Sequence, residues 1–73
     1  NGKDLTKALA WANRAVDAQP DAYWVVHMKA KIQAKSGDKA GAIATAKKSL
    51  ELATKGNNPD YVALNEKLIK SLN

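Results

Sequence analysis

Residues 38–50 read DKAGAIATAKKSL, and residues 4–16 read DLTKALAWANRAV. The two stretches lie 34 positions apart and share an aspartate and three alanines: Asp4, Ala8, Ala10 and Ala12 in the first, Asp38, Ala42, Ala44 and Ala46 in the second. Leu9 also corresponds to Ile43, and Val16 to Leu50. A period of about 34 residues carried by small side chains is typical of helical repeats whose helices approach each other closely. We therefore expect Ala8 and Ala42 to occupy equivalent, closely packed positions.

Helix start and stop residues divide the chain into four helices. The residues that can cap helix N-termini are Asp4, Asp21, Asp38 and Asn58. Pro20, Gly37 and Gly56 end the preceding helices, and Pro59 suits a first helical position. These signals predict helices near Asp4–Gln19, Asp21–Ser36, Asp38–Lys55 and Pro59–Leu72. Because no segment alternates polar and apolar residues with a period of two, the sequence predicts an all-α fold of successive antiparallel helices.

The second predicted helix is apolar on two sides. One side carries Tyr23, Val26, Ala30 and Ala34, and the other carries Trp24, Val25, Met28 and Ile32. A helix with two apolar sides packs between neighbours, so we expect the first helix on one flank and the third and fourth on the other. The fourth helix has a single stripe, made of Tyr61, Leu64, Leu68 and Leu72. Trp11 and Trp24 are expected mainly to add bulk to a core that is otherwise rich in alanine.

The repeat and its helix boundaries resemble the tetratricopeptide repeat (TPR) family. Residues 4–20 resemble the second helix of a partial repeat with its closing proline, residues 21–54 one full repeat, and residues 57–73 a capping helix or half-repeat. The resemblance covers nearly the whole chain and implies one domain, a helix-turn-helix solenoid fragment that binds proteins or peptides. The chain departs from the family pattern at positions that usually hold larger, aromatic or proline residues, namely Lys29, Gln33, Ala46 and Thr54.

A narrower resemblance bears on location. The run from Gly41 to Ala53, followed by Tyr61 and residues 65–67, is similar to helical tails that follow a domain of unknown function in exported bacterial proteins. That resemblance implies an exported or periplasmic protein, whereas a cytoplasmic location is expected without it. The abrupt start at Asn1 leaves room for a targeting segment on a longer parent chain.

Composition limits the possible classes of function. The chain has 73 residues and no cysteine, so neither a disulfide framework nor a thiolate metal site is expected. No apolar run approaches the about 20 residues that a membrane-spanning helix needs. The net charge of +5 keeps a basic nucleic-acid-binding domain as an alternative. The scattered lysines and the single arginine, Arg14, argue against it, because nucleic-acid recognition favours arginine.

Residues for catalysis or metal binding are not found in a usable pattern. His27 is the sole histidine, and no carboxylate lies three or four positions from it on its helix. Ser36, Ser49 and Ser71 carry no nucleophile motif, and the glycines are isolated helix terminators. We therefore expect no enzymatic activity, no cofactor and no metal. His27 is expected to be partly exposed in a groove.

The family resemblance also implies where a partner would bind, because the first helix of each repeat lines a concave groove. The groove positions of the full repeat are Trp24, His27, Lys31, Ala34 and Lys35. Four of them, Trp24, His27, Lys31 and Lys35, share one edge of the helix by their spacing and form the candidate peptide-binding site. Lys31 and Lys35 are one helical turn apart, about 6 Å, so a carboxylate can sit between them.

Two main roles follow from this arrangement. In the first, the edge engages an acidic segment, on a separate peptide or within the same parent protein. In the second, the whole piece is a structural C-terminal extension that docks onto the rest of a larger protein. A further repeat before Asn1 would favour the first role, and a different folded domain there would favour the second.

Overall fold

Four helices follow one another along the chain in the computed structural model, which describes the backbone of residues 2–73 and the side chains of residues 5–73. They are α1 (Gly2–Ala18), α2 (Tyr23–Lys35), α3 (Lys39–Lys55) and α4 (Pro59–Leu72). No strand occurs within residues 2–73. The predicted all-α class and the predicted number of helices are therefore confirmed.

Two of the predicted helix starts are confirmed with their caps. Asp38 Oδ1 accepts a hydrogen bond from the Gly41 backbone N–H at 3.0 Å and so caps α3. Asn58 Oδ1 does the same for the Tyr61 N–H at 3.2 Å, with Pro59 at the first position of α4. Each bond satisfies one of the backbone donors that a helix N-terminus leaves without a partner. These caps fix where α3 and α4 begin.

The two other predicted starts are wrong. The first helix already begins at Gly2, so Asp4 lies within α1 and not before it, and the Asp4 side chain lies outside the described residues. The second helix begins at Tyr23, after Ala22, with no side-chain cap. Asp21 stays in the preceding turn because the Ala22 N–H bonds to the Gln19 carbonyl at 3.1 Å, which closes the chain around Pro20. Ala22, which is buried with 5% exposure, therefore occupies the cap position without a side chain that could accept a hydrogen bond.

Residues in the left-handed conformation follow α2 and α3. Gly37 follows α2 with a φ of +93°, as predicted for a residue that ends a helix in this conformation. After α3 the left-handed residue is Asn57, with a φ of 56°, whereas Gly56 has a φ of −80°. Asparagine tolerates this conformation better than most residues, because its short polar side chain can bond locally.

Successive helices run antiparallel, with α2 at the centre. The start of α1 lies beside the end of α2, since Leu5 and Ser36 line one cleft. Tyr23, at the start of α2, meets both Gly56 after the end of α3 and Asn58 before the start of α4. Among the described helices α2 contacts the other three, whereas α1 contacts α2 alone. The expected central position of the second helix is confirmed, and the domain is a slab of 35 × 29 × 16 Å.

The interior is filled by alanines. The apolar residues with no exposed surface are Ala12, Ala30, Ala42, Ala46 and Ala53. Ala12 and Ala46 are a predicted repeat pair, and they are equally buried. Ala8 and Ala42 are not: Ala42 is buried and Ala8 half-buried, because α3 lies between α2 and α4 whereas α1 has only α2 beside it.

One position of the predicted stripe of α4 is wrong, whereas Tyr61, Leu68 and Leu72 are partly buried as predicted. Leu64 is 46% exposed, whereas its neighbour Asn65 has no exposed surface. The physical reason is that Asn65 is hydrogen-bonded to side chains of α2 and α3, as described below, and these bonds set how α4 is rotated about its axis.

Replacement of Ala42 by leucine tests the close approach of α3 to its neighbours. We expect Ala42→Leu to lower the free energy of unfolding by about 1–3 kcal/mol, since the added atoms find no space. Urea titration followed by circular dichroism measures this change. The matched control is Ala40→Leu, at an exposed position of the same helix, which should unfold close to the wild type. Equal stability of the two variants would show that the interior has spare room at Ala42.

Candidate functional site

A chain of buried hydrogen bonds lies where α2, α3 and α4 meet. Asn65 and Ser49 are the largest side chains with no exposed surface. Asn65 Nδ2 donates to Ser49 Oγ at 2.8 Å and to the Tyr61 carbonyl at 2.9 Å. Ser49 Oγ donates to the Tyr23 carbonyl at 2.7 Å, and His27 Nδ1 lies 2.6 Å from Asn65 Oδ1. We call His27, Ser49 and Asn65 the polar hub.

Backbone carbonyls at the ends of the polar hub determine which atom donates and which accepts in each of its hydrogen bonds. A carbonyl oxygen only accepts, so the carbonyl of Tyr61 requires the Asn65 NH₂ group to face it. Asn65 Oδ1 then faces His27, and an amide oxygen also only accepts. The proton of this hydrogen bond must therefore be on His27 Nδ1.

His27 also borders a cleft. The residue as a whole is 9% exposed, and it contributes to the lining of a cleft beside α4. The expectation of a partly exposed histidine is thus corrected: His27 is a buried member of the polar hub that lines a cleft.

That cleft lies between α2 and α4 and has a volume of about 270 Å³. We call it the α2/α4 cleft, and its lining residues are His27, Lys31, Leu64, Lys67, Leu68 and Ser71. Lys31 and Lys67 are both exposed. Within residues 5–73 neither forms an ion pair, and the ion pair found there joins Lys55 to Glu51 on α3. The α2/α4 cleft therefore combines a cationic rim with an apolar wall.

A second cleft, of about 320 Å³, lies between α1 and α2. In this α1/α2 cleft the large side chains are Trp11, Trp24 and Met28, which are 52%, 48% and 46% exposed. Both tryptophans were expected to add bulk to the core, and this expectation is wrong, because the alanine interior leaves no space for an indole. The Tyr23 ring packs edge-on against Trp24, with ring centres 4.9 Å apart. Trp24 is therefore held in position while half of its surface stays free.

The four predicted site residues are distributed over three places along the exposed edge of α2. His27 and Lys31 line the α2/α4 cleft together, and Trp24 lines the α1/α2 cleft. Lys35 is exposed at the end of α2, beside Leu5 and Leu9 of α1. The structure thus brings His27 and Lys31 together in one cleft and places Trp24 in the other.

Sequence reasoning missed several residues that line the two clefts. These are Trp11, Met28, Leu64 and Lys67. Met28 could have been found, because it lies one turn after Trp24 and only about 40° from it around the helix. Lys67 could not, because its place in the cleft depends on how α4 is rotated against α2.

Neither a metal site nor a membrane-spanning helix is found in the described part of the chain. Among the described residues no group of three or more histidine, cysteine or acidic side chains is arranged to hold a metal ion. None of the helices in this part of the chain has the length and apolar character needed to cross a bilayer. No protein-family model, curated protein or solved structure matches the chain.

The proton position in the polar hub is open to a direct test. We expect neutral His27 to carry its proton on Nδ1, because Asn65 Oδ1 can only accept. Long-range ¹H–¹⁵N spectra distinguish the two tautomers of a neutral histidine. Asn65→Ala removes the oxygen atom that accepts the Nδ1 proton, so the ¹H–¹⁵N spectrum of His27 should change. A wild-type spectrum with the proton on Nε2 would contradict the assignment.

Removal of the Asn65 amide should also be costly for stability. Asn65→Ala leaves a cavity and deprives His27 Nδ1 and Ser49 Oγ of a partner. We expect a loss of about 2–4 kcal/mol in the free energy of unfolding. Thermal and urea denaturation measure it, with Asn13→Ala on the exposed surface of α1 as the control. A loss no larger than that of the control would mean that the polar hub contributes nothing to stability.

Proposed function

We propose that this chain is a non-catalytic protein- or peptide-interaction module of the TPR type, and that it engages an acidic segment along α2. The observation that carries the proposal is the charge of α2. From Tyr23 to Lys35 the helix contains Lys29, Lys31 and Lys35 and no acidic residue. Two of these lysines, Lys31 and Lys35, lie on the exposed edge of the helix, and Lys67 of α4 adds a third cation beside Lys31.

The arrangement of the helices supports the TPR type. In that architecture the first helices of consecutive repeats line the binding groove, and these helices would be α2 and α4. The α2/α4 cleft lies between that pair. The 34-residue repeat of α1 in α3 and the contacts of α2 with three helices agree with the same arrangement.

The energetics predict weak binding. One exposed lysine–carboxylate contact contributes only about 0.2–1 kcal/mol, and salt screens it beyond about 10 Å at 0.1 M. Several contacts along the edge are therefore needed for measurable affinity. Binding by this chain should fall as the salt concentration rises.

The second candidate function is that of a structural extension which docks onto another part of a larger protein. The half-exposed Trp11 and Trp24 favour it, because tryptophan is enriched at protein interfaces. The two roles differ in the partner that is bound. Both roles place that partner on the exposed edge of α2 and its clefts.

A charge reversal with a matched control tests the proposed function. The probe is a peptide of alternating glutamate and serine with both termini capped, titrated while backbone amide shifts are recorded. We expect the shifts to cluster on α2 and α4, and affinity to fall roughly tenfold in Lys31→Glu/Lys35→Glu. The control, Lys47→Glu/Lys48→Glu, makes the same change of net charge on exposed residues of α3.

The control variant also distinguishes binding at α2 from attraction to the net charge of the chain. If both double variants lose affinity equally, the peptide responds only to net charge, and α2 is not the site. The site assignment is likewise wrong if the shifts cluster outside α2 and α4.

A further inference from the structure

The exposed edge of α2 carries two parallel rows of different chemistry. Trp24 and Met28, one turn apart, border the α1/α2 cleft. His27 and Lys31, also one turn apart, border the α2/α4 cleft. The helix thus presents an apolar row toward α1 and a polar, cationic row toward α4. A segment that lies across α2 meets both rows.

The apolar row is built to receive one large side chain. Trp11 approaches the α1/α2 cleft from α1, and Val25 and Ala15 lie at its base. The volume of about 320 Å³ is at the lower end of the range for ligand clefts, about 300–1,000 Å³. Aromatic rings stack on exposed indole surfaces, so an aromatic or a large aliphatic side chain is the group that fits.

The cationic row accepts a different group. Lys31 and Lys67 face the α2/α4 cleft from opposite helices, without an ion pair among the described residues. His27 lines the same cleft beside Lys31. A carboxylate between the two ammonium groups complements this charge. Leu64 and Leu68 form the apolar wall beside it.

The width of α2 sets the spacing between the two groups of the ligand. A helix with its side chains is about 10–12 Å across. In a polyproline II segment the rise is about 3.1 Å per residue with three residues per turn, so residues three apart face the same way and lie about 9 Å apart. We expect a segment with that spacing to reach from one cleft to the other, because the two clefts lie on either side of α2.

We propose that the ligand of this surface is an extended segment with an aromatic or large aliphatic side chain in the α1/α2 cleft and an acidic side chain, three positions away, in the α2/α4 cleft. The inference rests on the proposed function and adds to it the apolar contact and the spacing. Charge complementarity with Lys31, Lys35 and Lys67 favours a foreign acidic segment over a second copy of this basic chain, whose net charge is +5.

The experiment compares three capped peptides in a glycine–serine background. One has phenylalanine and glutamate three positions apart, one has them adjacent, and one has the glutamate without the phenylalanine. We expect the first to bind about tenfold more tightly than the other two, because only its two side chains reach both clefts. Amide and indole N–H shifts report the affinities and the positions of the contacts.

Variants in each row then test which side chain of the peptide binds in which cleft. Trp24→Ala should lower affinity for the phenylalanine–glutamate peptide about tenfold and leave that for the glutamate-only peptide unchanged. Lys67→Glu should weaken both peptides, with Lys70→Glu, an exposed position one turn later, as its control. Met28→Gln is a second, milder change in the apolar row, and a wild-type-like amide spectrum confirms that each variant is folded.

The outcomes distinguish this inference from the proposed function. If charge reversal at Lys31 and Lys35 abolishes binding but Trp24→Ala and Met28→Gln change nothing, the two-cleft ligand is wrong and the acidic-segment function stands. If no peptide shifts α2 or α4, both are wrong. If Trp11 and Trp24 shift with protein concentration before any peptide is added, a second copy occupies the clefts, and the inference is overturned.

Discussion

The side-chain amide of Asn65 is fully buried where three helices meet, and it can remain there only because both of its ends are hydrogen-bonded. A buried polar group that loses its partner costs about 1–3 kcal/mol. Sliding α4 by one turn would break the bonds to His27 and Ser49 together. In an interior made mostly of alanines, which fit many arrangements about equally well, this requirement selects one arrangement of α2, α3 and α4.

The same interior explains why the surface is rich in large side chains. Alanines bring the helix backbones close together, and the slab is only 16 Å thick. Indole and thioether groups therefore have no place inside, and Trp11, Trp24 and Met28 lie in a cleft at the surface. Tight packing inside and large side chains in a surface cleft are thus two results of the same choice of small residues.

Local signals in the sequence were sufficient for the number of helices and most of their boundaries, because a cap or a left-handed residue acts within one turn. Asp38, Asn58 and Gly37 act in this way. Asn65 could not be recognised as a buried residue, since its side-chain partners lie 16 and 38 positions away. The predicted edge of α2 placed Lys31 and Lys35 on the surface, but the division of that edge between two clefts depends on contacts with α1 and α4 that no periodicity encodes.

Asymmetry in the packing of α1 has a consequence for local unfolding. Helix α1 contacts α2 alone, and within residues 5–73 no side-chain hydrogen bond joins it to another helix, whereas α2, α3 and α4 share the polar hub. Amide hydrogens of α1 should therefore exchange through an opening of lower free energy than those of the other three helices. Because Trp11 forms one wall of the α1/α2 cleft, a side chain held in that cleft would keep α1 closed, and slower exchange in α1 would accompany occupancy of the cleft.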